Sequence, residues 1–484
     1  MDRRQFLKAI GGGSAIAGST GLWFFGVQAG QDPASYTGWT NREGGSQTFD
    51  RARWAVDKPT YQKVGPTRRA DARTEVIFAR MGYVGRYDEE RGLDNIPEHV
   101  CKYYTEHPED LELDTHTRRE IHKKRGEDAK KYRNEFILSK AWSSAMGAVG
   151  PRGVNGPPEE WDFPKGRGPN TPYKLKDPER TSSLIKKIAH QLGSTLVGIA
   201  KLNPDWVYAY PMGGRRGFKA NEPIEVPEHW KYAIVVGVPM SWDPMYANPP
   251  YGTSNDAYSL SRIVAYRLTA FIKSLGYAAR PHTPGASYDL MVPPIMVDAG
   301  LGQQGRHSIV ITPEVGCNFR PSIVTTNIPM EPDKPIDFGV DDFCRTCKVC
   351  AKQCPSGAIS MGEKETIRGY RRYALHSSKC SNFWSSKLGN TGCRLCVAVC
   401  PYTRKANWLH RTALNVLLHD PTGLSDRALA GMQEILYPGK DPQKYYMPSL
   451  GGENASYRDI PWWLKTEDFI DLPEEPEDPE NKDK

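Results

Sequence analysis

The sequence predicts a mixed α/β (α+β) fold: a core of strands and helices, followed by a cysteine-rich C-terminal segment. Three observations predict it. Apolar runs of strand length, Ser194–Ala200 and Tyr232–Val238, alternate with helical periods from Pro178 onward. Eight of the ten cysteines in the 484-residue chain fall between Cys344 and Cys400. The 45 glycines and 39 prolines require long, turn-rich connections, which argues against a pure helix bundle. A mean hydropathy of −0.60 excludes a polytopic membrane protein. The net charge of +7 is too mild over this length to require a nucleic-acid partner.

The first residues read as an address. Arg3-Arg4 precede Gln5-Phe6-Leu7-Lys8, a weakly apolar stretch runs from Ala9 to Val27, and Val27-Gln28-Ala29 has the small residues of a cleavage site. The paired arginines are those of a twin-arginine signal, which exports folded proteins and so predicts a cofactor inserted before export. Between Gln31 and Asp177 the chain is rich in Gly, Pro and aromatic residues, and is expected to wrap a core. One polar helix is predicted there, from Asp114 to about Leu138. Thr181–Leu192 is a helix by the spacing of Leu184, Ile188 and Leu192. Tyr258–Leu275 is a longer one, with Ile263, Leu268, Phe271 and Ile272 inward and Gly276 as its stop. Ile309–Thr312 and Ser322–Thr326 complete the predicted strands, and Arg404–Leu418 is predicted helical. The tail from Glu467 is acidic and proline-rich, an exposed extension.

The cysteine segment has two halves. The first is Cys344-x2-Cys347-x2-Cys350-x3-Cys354-Pro355, and the second is Cys380-x12-Cys393-x2-Cys396-x3-Cys400-Pro401. The run C-x2-C-x2-C-x3-C-P is the bacterial ferredoxin pattern for [4Fe–4S] ligation, in which the fourth cysteine serves the other cluster. Three thiolates at that spacing in a looped turn reach three corners of one cube. The fourth is expected to open a helix, where the following proline needs no donor. Cluster one then takes Cys344, Cys347, Cys350 and Cys400; cluster two takes Cys354, Cys380, Cys393 and Cys396. Disulfides and zinc are the competing readings, and the doubled spacing argues against both. Cys101 and Cys317 stand alone and read as ordinary residues.

Further strings carry a resemblance. Asp298-Ala299-Gly300-Leu301-Gly302-Gln303-Gln304-Gly305-Arg306 looks like an AGLGEYSR-type segment, and Ile311-Thr312-Pro313-Glu314-Val315-Gly316 looks like an ITPEFG segment. Asp333-Lys334-Pro335-Ile336, Phe338-Gly339-Val340 and Phe343-Cys344 follow a DKPI-FGV-FC approach to the clusters, and Phe271–Tyr277 matches a FIK-LGY helix end. With the signal and the two cluster motifs, the chain resembles the respiratory reductive dehalogenases from about Thr181 to Thr403.

The resemblance implies a nitroreductase-like core holding a corrinoid of cobalamin type, base-off, and a ferredoxin-like two-cluster domain that reduces its cobalt. The reduced cobalt cleaves a carbon–halogen bond, and a proton replaces the halide. No D-x-H-x-x-G ligand string is present, consistent with a cobalt without a protein ligand. The family's proton donor is a Tyr beside an Arg. Arg306 matches the Arg; Tyr246, about 60 residues earlier, is the expected Tyr, with Tyr251 and Tyr258 as rivals and Trp242 where some members have Tyr. A guanidinium favours tyrosinate and eases proton delivery. Gly300, Gly302, His307 and His282 are the expected corrinoid contacts, and Trp39, Trp54, Trp142, Trp206, Trp242 and Trp384 are candidate walls of an apolar substrate pocket.

The expected organisation is 1–29 signal, 30–177 wrapping region, 178–335 corrinoid-binding core, 336–420 cluster domain and 421–484 extension. The expected partners are a halogenated organic substrate, a small integral-membrane anchor protein, a quinol pool or hydrogenase as electron donor, and the twin-arginine translocase. The expected place is the outer face of the cytoplasmic membrane. Two other readings stand beside this one: an epoxyqueuosine-reductase-like enzyme, which has no export signal, and a non-catalytic ferredoxin-type electron carrier.

Overall fold

The computed structural model describes residues 51–84, 96–125, 171–211, 222–241, 245, 253–284, 289–386, 392–403, 424–436 and 468–471. The predicted signal and the predicted 404–418 helix lie outside them. In chain order the elements used below are β1 (Gln62–Lys63), α1 (Ile77–Val84), α2 (Glu98–Glu106), α3 (Pro108–Arg125), α4 (Pro178–Gln191), β2 (Leu196–Lys201), β3 (Tyr232–Pro239), α5 (Thr253–Ser274), β4 (Ala279–His282), α6 (Val292–Asp298), β5 (Gln303–Gln304), β6 (Val310–Ile311), β7 (Phe319–Thr326), α7 (Val340–Cys347), α8 (Val349–Lys352), β8 (Glu365–Ile367), β9 (Tyr370–Arg372), α9 (Ser377–Ser386), α10 (Leu395–Ala398) and α11 (Leu424–Leu436).

The central sheet has the order β2-β3-β7-β4, and every pair in it is antiparallel, with Gly198 opposite Val235 and Val235 opposite Ile323. The core is therefore α+β in its pairing. Its strands nonetheless read as continuous apolar runs because both faces of the sheet are covered. Successive residues alternate between two packed layers. Val197, Ile199, Ile234, Val236 and Val324 pack with Ile185 and Ala189 of α4 and with Val264, Ala265, Leu268 and Ile272 of α5. Leu196, Ala200, Val235 and Ile323 pack with Ile295 and Met296 of α6 and, further on, with the cysteine segment.

Helix α4 turns a different face inward from the one its spacing predicts: Ile185 and Ala189 are buried, while Leu184 is 38% exposed. Asp177 caps it, accepting from the Arg180 N–H at 2.7 Å, with Pro178 in the first turn. Helix α5 stops at Gly276, whose φ of +88° is the left-handed conformation expected of a C-terminal glycine. The short edge strand β4 and helix α6 escape the sequence patterns. β4 contains Pro281, tolerated at a sheet edge, and α6 begins Val292-Pro293-Pro294, which suits a first turn but conceals the helix. The predicted polar helix starts earlier, at Pro108 in α3.

The N-terminal region braces the rest, as expected from its aromatic content. Trp54 packs on Phe338 with ring centroids 5.9 Å apart, and Tyr61 meets Trp206 edge-on at 5.2 Å. Strand β1 extends the β8–β9 hairpin of the cysteine segment. The most consequential brace is ionic. Arg80 of α1 is fully buried and donates to Asp114 of α3 at 2.8 Å and to Ser378 Oγ of α9 at 2.6 Å; Asp110 lies 3.4 Å from it and accepts from Tyr103 at 2.5 Å. This network fixes the helix that carries Cys380.

Two predictions follow from the packing. Arg80→Met leaves two buried carboxylates without their cation and should cost about 3–5 kcal/mol in denaturant unfolding, with cluster binding at Cys380 weakened alongside. Asp298, at the end of α6, accepts from Tyr61 at 2.6 Å and from Trp206 at 2.9 Å, and burial pushes its carboxyl up to about 6 from 3.8. A group that binds its proton more tightly when folded contributes most below its unfolded value, and that contribution is lost as pH rises through about 6. Stability compared at pH 4 and pH 7 should therefore fall more in the native chain than in Asp298→Asn, by about 1–3 kcal/mol.

Candidate metal centres and their surroundings

The cysteine segment folds into short helices joined by tight turns. Cys344 and Cys347 lie on α7, Cys350 on α8, Cys380 on α9 and Cys396 on α10. Lys348, between α7 and α8, takes the left-handed conformation at φ 52° and turns the chain so that its three cysteines can converge. Cys354 and Cys400 follow helices rather than opening them, against expectation. Each begins a turn instead, the Cys354 carbonyl accepting from Gly357 and the Cys400 carbonyl from Thr403. The prolines after them sit in these turns, where a missing donor costs nothing.

None of the ten cysteines is joined in a disulfide. Cys344, Cys347, Cys350 and Cys400 line one cavity of about 300 Å3 together with Arg306 and His307. Burial pushes the Cys344 thiol up, and Cys400 and Cys347 push it further. The same holds for Cys350, raised first by burial and then by Cys344, Cys400, Cys396 and Cys347. The second set interacts in the same way. Cys380 is pushed up to about 12 by burial and then by Cys393 and Cys354, and Cys396 is raised by burial, Cys393, Cys380 and Cys354. The structure thus brings the eight cysteines into two groups of four, with Cys396 and Cys350 as neighbours across them. Their chemistry fits iron–sulfur clusters. Buried thiols that repel one another as thiolates are stabilised when metal takes the place of their protons.

Cys400 behaves differently. Its thiol is held below the ordinary range, first by a hydrogen bond from Cys317 and then, against burial, by one from His307. Cys317 is therefore no bystander. It is buried at the Cys400 side chain, and the sequence offered no sign of this because it stands 83 residues from Cys400. Cys101 lies on α2, packed with Val100, Tyr104 and Tyr103.

The residues expected to contact the corrinoid have these settings in the fold. A Cβ on Gly300 would lie 2.3 Å from the Lys334 carbonyl, and one on Gly302 would lie 2.0 Å from the Ile311 carbonyl. These glycines let backbones approach inside the fold. His282 is buried in the sheet, its Nε2 2.9 Å from Thr325 Oγ1 and its ring edge-on to Trp230 at 4.7 Å. His307 lines the cysteine cavity.

Arg306 also serves the cysteine segment. It donates to the carbonyls of Cys344 at 3.0 Å, Ser360 at 2.9 Å and Gly362 at 2.7 Å, and lies over the Tyr373 ring at 4.1 Å. Its Nη2 has no hydrogen-bond partner among the described residues. Tyr246, Tyr251 and Trp242 lie outside the described residues, as do Trp39 and Trp142. Trp54 and Trp206 are buried core residues, and Trp384 packs on Phe78.

The third tyrosine, Tyr258, is half-buried on α5 under the Arg320 guanidinium, 5.2 Å from its ring centre. Arg320 and Arg394 both donate to Ser254 Oγ, at 2.8 Å each. Burial and the neighbouring Arg320 push Arg394 down to about 9. Neither arginine belongs to a motif that singles it out, although Arg394 sits beside Cys393.

Comparisons with known proteins agree with this geometry. A profile of the 4Fe-4S dicluster domain family matches residues 343–403. The tetrachloroethene reductive dehalogenase of Sulfurospirillum multivorans is 33% identical over 298 residues, 55% of this chain and 58% of that protein. The enzyme of the same name from Dehalobacter restrictus is 31% identical over 287 residues, 50% of this chain and 51% of that protein. An epoxyqueuosine reductase of Listeria monocytogenes is 35% identical over only 112 residues, 22% of this chain. Among solved structures, the catabolic reductive dehalogenase NpRdhA superimposes with a TM-score of 0.59 at 23% identity, covering 81% of this chain and 50% of that one. A reductive dehalogenase structure described with a mechanism for B12-dependent dehalogenation gives 0.57 at 23% identity, covering 82% of this chain and 51% of that one. The chain spans about half the length of the relatives it matches.

If the two groups of four cysteines hold clusters, Cys396→Ala should lower the iron of the anaerobically reconstituted chain from about eight to about four per molecule, and Cys101→Ala should leave it unchanged. The chain is similar to reductive dehalogenases over about half its length and carries a 4Fe-4S dicluster domain at residues 343–403.

Proposed function

We propose that the chain is a respiratory reductive dehalogenase. It reduces an organohalide by two electrons and one proton, R–X + 2 e− + H+ → R–H + X−, with electrons supplied through two [4Fe–4S] clusters. The observation that carries the reading is the gathering of eight cysteines, none of them exposed, into two neighbouring groups of four, in a chain whose relatives are reductive dehalogenases. Cys344, Cys347, Cys350 and Cys400 are the proposed ligands of one cluster, and Cys354, Cys380, Cys393 and Cys396 of the other. Held by these cysteines, the clusters would supply one-electron transfer toward the core.

The corrinoid belongs to this proposal on the strength of the B12-dependent structural neighbour and the sequence relatives. When bound it supplies a low-valent cobalt for carbon–halogen cleavage. The chain's own part is to deliver electrons and a proton and to exclude water. We assign the proton to Tyr246 from its position before Arg306, with Tyr258 beneath Arg320 as the competing donor.

Export by the twin-arginine route, a seat on the outer face of the cytoplasmic membrane beside a small membrane anchor, and electrons from a quinol pool or hydrogenase complete the proposal. They rest on the Arg3-Arg4 segment and the family resemblance. Among the described residues, no helix is long and apolar enough to cross a membrane.

The test is an anaerobic assay of the full chain reconstituted with iron, sulfide and a corrinoid, using reduced viologen as donor and a panel of chlorinated ethenes, ethanes and aromatics. Halide release that depends on bound cobalt is expected, with Tyr246→Phe losing most of the rate and Tyr258→Phe keeping it. A protein that holds about eight iron but takes up no cobalt and releases no halide contradicts the proposal and leaves the electron-carrier reading.

A further inference from the structure

We propose that Thr403, Cys317 and His307 form a hydrogen-bond relay onto the Cys400 sulfur that raises the reduction potential of the cluster Cys400 ligates. The inference rests on the reading of Cys400 as a cluster ligand. It concerns residues that neither the cysteine motif nor the expected substrate chemistry uses.

The geometry brings the members of the relay together. His307 Nδ1 accepts from the Ile309 N–H at 3.2 Å, so the proton of the imidazole is on Nε2. That nitrogen lies 3.5 Å from Cys317 Sγ, and the ligand atoms of His307, Cys317 and Cys400 all fall within 4.8 Å of one another. Thr403 Oγ1 accepts from the Cys317 N–H at 3.3 Å and is 3.0 Å from Cys317 Sγ. Either atom can donate in the Thr403–Cys317 contact; in the proposed relay the Thr403 hydroxyl donates to Cys317 Sγ and the Cys317 S–H is turned to Cys400. His307 Nε2–H points into the same group. All four residues are buried, so water does not compete.

The backbone is shaped to make this contact. Gly316 has φ +59°, and a Cβ there would lie 2.4 Å from the Tyr402 carbonyl and 2.6 Å from Thr403 Cα. Only glycine lets the chain before Cys317 lie flat against the chain after Cys400. Two strings far apart in sequence, Gly316-Cys317 and Cys400–Thr403, are thereby held together at one sulfur.

The consequence is electrostatic. Reducing a cluster adds negative charge that spreads over its sulfurs, so a donor aimed at a ligand sulfur stabilises the reduced form more than the oxidised form. A donor there would raise the potential of a cluster held by Cys400 relative to the same cluster without it.

The experiment is a redox titration of the full chain, anaerobically reconstituted with both clusters and followed by electron paramagnetic resonance. In Cys317→Ala, one of the two midpoints should fall by about 59 mV, a tenfold loss in the one-electron reduction constant, while the other moves less. Cys317→Ser keeps a donor and should stay near the native value, and His307→Leu should move the same midpoint downward. Native midpoints in Cys317→Ala overturn the inference. So does loss of half the iron in both Cys317 variants, which would make Cys317 a ligand. A native chain that assembles no clusters removes the cluster reading itself, and the inference with it.

Discussion

The gathering of eight thiols, three buried and five partly buried, in two close groups is the constraint on which the rest of the structure depends. A buried thiol is pushed to hold its proton, and four together push one another further. Such a group gives little to the fold unless metal replaces the protons, so folding of the cysteine segment and loading of its clusters are coupled. The chain meets that constraint by bracing each cysteine-bearing element from outside the segment. Arg80 and its two aspartates hold the helix of Cys380, Arg306 holds the backbone at Cys344, and Gly316 brings Cys317 to Cys400.

Charge follows the same arrangement. Arg306 lines the cavity of the first group, and Arg394 lies between Cys393 and Cys396 of the second, with Arg320 beside it. Burial first, and then the neighbouring Arg320 guanidinium, push Arg394 down. A cluster held by four thiolates carries net negative charge, and these cations are placed to offset it. The antiparallel sheet behind them, covered on both faces, is the rigid wall against which the cysteine segment packs.

Much of this was legible in the sequence, and what was missed has physical reasons. The cysteine grouping follows from spacing because cluster ligation is local in sequence apart from one crossing cysteine in each group. Strands β2, β3 and β7 were legible as apolar runs, but their antiparallel pairing was not, because a sheet buried on both faces loses the alternation that marks an antiparallel strand. Edge strand β4 and helix α6 were hidden by their prolines. Gly300 and Gly302 stood out as a motif, yet their reason is the close approach of Lys334 and Ile311, which no local pattern encodes. Cys317 was missed for a related reason: its neighbours His307 and Thr403 meet it only in the folded chain. Arg320 and Arg394 likewise converge on Ser254 from three separate parts of the sequence.

The central claim is that the two groups of cysteines form two clusters near enough to exchange electrons. Its most direct test is the electron paramagnetic resonance spectrum of the reconstituted chain as it is reduced stepwise. The account predicts separate signals at partial reduction that broaden and split when both clusters are reduced, the mark of two paramagnets in close contact. A spectrum that is the simple sum of two isolated signals, or that shows one cluster only, would contradict it.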